Sequence, residues 1–124
     1  MAGGPHAGTW SRSPQELVDW FDEHTAWLLA EPGVERRKMF GYPACFANGH
    51  MFTGLHQDRW VIRLPDEART ALAEAGGMPF EVMPGRPMRE YLVLPATLAS
   101  DPAAMRPWLE RALANARDLP PKKR

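Results

Sequence analysis

Asn48-Gly49 constrains this chain more than any other pair of residues. Both central positions of a type I′ turn need positive φ, and Asn-Gly supplies them at little steric cost. The pair sits inside Arg36–Leu64, RRKMFGYPACFANGHMFTGLHQDRWVIRL, whose apolar residues come in short runs broken by turn residues. This segment predicts strands at Val34–Phe40, Ala44–Ala47, His50–Leu55 and Arg59–Leu64, with Gln57-Asp58 as a second tight turn. Simple alternation through both turns assigns Phe46, Met51, Leu55, Trp60, Ile62 and Leu64 to a core face. It assigns Cys45, His50, Phe52, His56, Arg59, Val61 and Arg63 to a mixed, partly wet face.

Helices flank these strands. Ser13-Pro14-Gln15-Glu16 reads as a capping box with proline at the first helical position. Leu17, Trp20, Phe21, His24, Trp27 and Leu28 follow on one helical face, and Pro32-Gly33 ends the helix near Ala30. Pro65 opens a second helix, Asp66–Ala75, stopped by Gly76-Gly77. Pro79–Met83 and Arg89–Leu94 are two more strands around a Pro84-Gly85 turn. Asp101-Pro102 starts a last helix with Met105, Trp108, Leu109, Ala112, Leu113 and Ala116 as its apolar stripe. Pro107, in its second turn, either kinks it or marks a later start.

The order α-ββββ-α-ββ-α predicts an α+β domain: an antiparallel, meander-type sheet of about six strands with helices packed on one face. Residues 1–12, with Trp10, read as a loose N-terminal arm, 13–118 as the single domain, and 119–124 as an extended basic tail. At 124 residues and 44% hydrophobic, the chain is long enough for one core. A lone cysteine, Cys45, allows no internal disulfide and suits a reducing, cytoplasmic setting. MAGGPHAGTW has neither the basic nor the apolar region of a signal peptide, and no apolar run approaches a membrane span.

The ordered set Arg37-Lys38-Met39-Phe40-Gly41, Asn48-Gly49-His50-Met51-Phe52, Arg63-Leu64-Pro65 before Asp66-Glu67, Pro79-Phe80, Tyr91-Leu92-Val93-Leu94-Pro95 and Trp108 resembles the N-terminal domain of the TfoX/Sxy family of bacterial competence regulators. One departure is Gly41-Tyr42, where the usual pattern has a glycine pair. Full-length competence regulators resemble two-domain proteins, and the likeness here is to the first domain alone. The resemblance implies a sheet-plus-helices fold, no known catalysis, and action through other proteins in transcription.

Chemistry-bearing residues are sparse. His50 and His56 share the predicted face of Cys45, but their spacing matches no standard zinc pattern and no fourth ligand is indicated. Cys45 with His50 as base lacks an orienting carboxylate and an oxyanion hole, so a packed cysteine is the better reading. His24 reads as a core or boundary histidine. Met83, Met88 and Met105 read as core filler. Gly76-Gly77 is a helix stop, not a phosphate loop. These readings predict no catalytic residue, metal or cofactor.

Two surfaces remain. Cys45, Phe52, Val61 and Arg63 are expected to form a protein-interaction face, covered by a partner, a second copy or the arm carrying Trp10. Arg36, Lys38, Arg86 and Arg89 are candidates for an anion or nucleic-acid patch, with Arg63 and the tail in support. Fifteen basic residues balance fifteen acidic ones, which favours ordinary ion pairs to Glu35, Glu81 or Glu90 over such a patch. The leading expectation is a non-enzymatic regulatory module acting by protein contact, homodimerisation included. A nucleic-acid accessory protein comes second. A small-ligand binder or enzyme with a pocket between sheet and helices comes third.

Overall fold

The computed structural model describes residues 13–122. The arm with Trp10 and the last two residues of the tail, Lys123 and Arg124, lie outside the described residues. The elements are α1 (Gln15–Leu29), β1 (Val34–Met39), β2 (Tyr42–Ala47), β3 (His50–His56), β4 (Arg59–Arg63), α2 (Asp66–Glu74), β5 (Met78–Met83), β6 (Arg86–Val93), α3 (Ala96–Ala99) and α4 (Pro102–Asp118). The six strands form one sheet in the order β1-β2-β3-β4-β6-β5, antiparallel throughout. The fold is α+β, as the strand and helix order predicts.

Local chemistry explains the boundaries. The α1 capping box does not form. Pro14 stays extended (φ −58°, ψ 142°), and its carbonyl accepts the N–H groups of Leu17 and Val18. Among the described residues, the buried Ser13 hydroxyl has no hydrogen-bond partner. At α4, Asp101 does cap, accepting from the Ala104 N–H at 3.3 Å, and the helix runs through Pro107 unbroken. The short α3 has no signal in the sequence beyond Pro95 before it.

The helices bury one face of the sheet. Phe21 and Leu28 of α1, Leu72 of α2, and Met105, Leu109 and Ala112 of α4 close over Trp60, Ile62 and Leu64. The Phe21 and Trp60 ring centroids lie 4.8 Å apart. Burying such side chains contributes about 1.5–3 kcal/mol each.

One detail overturns the expected sorting of side chains. Across the Asn48-Gly49 turn, Ala47 pairs with His50 and Phe46 with Met51, as predicted. Cys45 then pairs with Thr53, not with Phe52. Phe52 is an extra residue on β3, a β-bulge. Alternation breaks there, and Phe52 and Leu55 both join the core although they stand three positions apart. Cys45 and Phe52 are fully buried with Phe21 and Leu28, and are not on a wet face. Phe46 and Met51 move to the opposite side, while Trp60, Ile62 and Leu64 stand where alternation put them.

Residues 119–122 fold back onto the same hairpin. Asn48 Nδ2 donates to the Leu119 carbonyl at 2.7 Å, and the Lys122 N–H donates to the Asn48 carbonyl at 3.1 Å. His50 Nε2 donates to the Pro120 carbonyl at 2.7 Å. Gly49, at φ +83°, leaves no room for a side chain: a Cβ there would come within 2.9 Å of Lys122 Cβ. The turn thus serves both as a hairpin and as a seat for residues 119–122.

Candidate functional site: an apolar groove on the helix-free face

The face of the sheet away from the helices is not flat. A cavity of about 90 Å³ is lined by Met39, Phe40, Tyr42, Met51, Leu55, His56, Val61, Phe80, Val82, Met88 and Tyr91. These residues come from all six strands, the edge strands β1 and β5 included, so the sheet must curve to bring its two edges around one space. Bulges supply curvature. Register shifts interrupt the β5–β6 ladder as well as the β2–β3 ladder. The Tyr91 hydroxyl ties the curve by donating to the Met51 carbonyl at 2.9 Å, across the intervening β4. Burial pushes the Tyr91 phenol up from its usual range, with Arg63 opposing.

The floor is aromatic. His56 lies between Tyr42 (5.1 Å between centroids) and Phe80 (5.2 Å). Arg59 donates to His56 Nδ1 at 2.7 Å, so that nitrogen is an acceptor and the ring is neutral. Burial, and then the Arg59 charge, pull its pKa below the ordinary histidine value.

The mouth is apolar and exposed. Phe40 and Gly41 form the β1–β2 turn at φ +55° and +86°. Positive φ suits Gly41 but is an outlier for a bulky residue. The Phe40 side chain is nonetheless 80% exposed, and Val82 (48%) and Met88 (41%) stand at the same mouth. Met83 is also exposed, so of the three methionines read as core filler only Met105 is one.

Two guanidinium groups lie over rings of the groove. Arg59 lies over the Phe80 ring at 5.4 Å and Arg63 over the Tyr91 ring at 5.7 Å. Arg37 covers Phe46 at 5.1 Å while bonding Glu35 at 2.8 Å. Among the described residues, Arg59 and Arg63 have no carboxylate partner; their polar contacts are to His56 and His50. The zero net charge hides a segregation. The strands carry seven basic side chains (Arg36, Arg37, Lys38, Arg59, Arg63, Arg86, Arg89) against three acidic ones (Glu35, Glu81, Glu90). Helices α1, α2 and α4 carry nine Asp and Glu against four Arg.

The residues singled out from sequence scatter. Of the predicted interaction face, Cys45 and Phe52 are in the core, Val61 is on the groove floor, and Arg63 is on its rim. Burial pushes the Cys45 thiol up to about 11, against a hydrogen bond with Thr25 that lowers it. A thiol held protonated this way is a poor nucleophile. Of the predicted anion patch, Arg36 is taken by Asp22 (2.7 Å). Lys38 is on β1, whereas Arg86 and Arg89 are on β6, with three strands between. Cys45, His50 and His56 are not brought together, and the described residues contain no group of three or more His, Cys, Asp or Glu that could hold a metal ion. His24 is half-buried on α1, stacked on Trp20 at 4.1 Å between centroids. A wider recess of about 690 Å³ between α1, β4 and α3 has no histidine or cysteine in its lining. No helix among the described residues is long and apolar enough to cross a membrane.

Sequence reasoning missed Phe40, Val82 and Met88. A signal existed: Phe40-Gly41 stands between two strand runs, where Asn-Gly or Asp-Gly would make an ordinary turn.

The sequence model of the TfoX N-terminal domain family matches residues 28–116 of the 124. This chain belongs to the TfoX N-terminal domain family. The match starts at the end of α1 and runs to the last turns of α4. All six strands and the whole groove therefore fall inside the TfoX N-terminal domain, whereas most of α1 and the Leu119–Lys122 return do not. No curated protein matches the chain.

Proposed function

We propose that this TfoX N-terminal domain is a non-enzymatic binding module that works by protein contact through its helix-free face. The observation that carries the reading is Phe40: a large aromatic side chain, mostly in solvent, on a backbone conformation that costs energy for any residue with a Cβ. Strain of that kind clusters where a side chain is displayed for use. Kinship with TfoX-type competence regulators supports placing the contact in transcriptional regulation. Replacing Phe40 with the photoreactive p-benzoylphenylalanine in the native host tests the reading. Irradiation is expected to yield a covalent adduct with another protein. No adduct, or the same adducts from position Ala103 on α4, overturns it.

A second reading, binding to nucleic acid, is favoured by the basic strands lying apart from acidic helices. It requires affinity that falls steeply with added salt. Lack of DNA or RNA binding at low salt removes it.

A further inference from the structure

Resting on that reading, we infer the chemistry of the occupant: an acidic peptide segment that places one bulky apolar side chain in the groove between Tyr42, Val61, Phe80 and Met88. The cavity, at about 90 Å³, is well below the roughly 300–1,000 Å³ of a small-molecule site. It is on the scale of a single side chain. Its lining offers almost no polar atom to orient a ligand, so selectivity must come from the rim, and the rim is cationic. Arg59 and Arg63 lie over groove rings and have no carboxylate partner among the described residues. Guanidinium groups already held over aromatic rings lose little freedom when a carboxylate docks.

The same charges disfavour the other occupants. A second copy brought face to face about a twofold axis would set Arg59 and Arg63 against their own kind, and like charges across an interface are costly. A single-stranded nucleic acid would suit the charge but needs open aromatic faces for stacking. Tyr42 and Phe80 are buried, and Arg59 and Arg63 already cover Phe80 and Tyr91.

The test uses the whole chain and a fluorescein-labelled peptide of one phenylalanine flanked on both sides by aspartates. Fluorescence polarisation should show saturable binding that falls about tenfold with Val82→Asp or when the peptide phenylalanine becomes serine. Amide shift changes in an NMR titration should gather on β3, β4 and β6. Arg59→Gln with Arg63→Gln should lose the preference for aspartate over lysine flanks. Absence of saturable binding, equal binding of the lysine-flanked or serine peptide, or shifts confined to the helices overturns the inference. So does tighter binding of oligothymidylate, or a dimer in light scattering that Val82→Asp dissolves. A protein adduct at position 40 together with no preference for acidic peptides would overturn this chemistry and leave the protein-contact reading standing.

Discussion

Trp60 donates its indole N–H to Thr53 Oγ1 at 2.8 Å, and the Thr53 hydroxyl in turn donates to the Val61 carbonyl at 2.9 Å. Both side chains are fully buried, so this relay satisfies two polar groups that water cannot reach. Thr53→Val keeps the shape and strands the indole N–H. The expected loss is about 1–3 kcal/mol, read as a lower urea midpoint with an unchanged m-value.

Phe40 is expected to behave oppositely. At φ +55° asparagine is better accommodated than phenylalanine. Phe40→Asn should therefore stabilise the fold by about 1 kcal/mol while abolishing capture through the groove. Thermal denaturation checks the first effect. A fall in melting temperature would mean that Phe40 contributes packing that its exposure does not suggest.

The seat of the C-terminal segment is testable at one atom. Gly49→Ala puts a methyl against Lys122 and strains a positive-φ position. The Lys122 amide, which bonds the Asn48 carbonyl, should then exchange with solvent much faster than the amides of β4. His50→Ala removes the Pro120 contact without touching the turn, and should produce a smaller increase at the same amide.

Cys45 makes an alkaline prediction. Burial raises its thiol from 9.0 to about 11, so the folded state holds the proton more tightly than the unfolded one. Its contribution is fully present below pH 9.0 and is lost as pH rises towards about 11. Stability should fall across that window, and Cys45→Ala should fall less, in paired urea titrations. Alkylation of the native protein near neutral pH should be slow and should accelerate with denaturant.

The sequence made the architecture legible because its turns are chemically explicit. Asn48-Gly49, Gln57-Asp58, Pro84-Gly85 and the prolines before each helix mark nearly every boundary within a residue or two. The face assignment failed at a single place. A β-bulge needs no signature residue, and nothing in Cys45–Thr53 announces that Phe52 is supernumerary; one extra residue then reversed Cys45, Phe46, Met51 and Phe52 together. The groove was hidden for a different reason. Its walls come from β1 and β5, opposite ends of the sheet, and only curvature brings them together. Local periodicity carries no information about curvature. Arg36 shows the same limit, since its partner Asp22 is on α1 and cannot be found by reading along β1.

Basic strands beneath acidic helices give a molecule that is neutral in total a substantial electric dipole. It should orient in the field of a charged partner before contact, presenting the sheet to an anionic surface. Near its neutral point, molecules should also attract one another sheet to helix, as poles of opposite sign. Turbidity would then peak close to pH 7 at low ionic strength and clear when salt is added, a solubility behaviour set by the arrangement of charge rather than its sum.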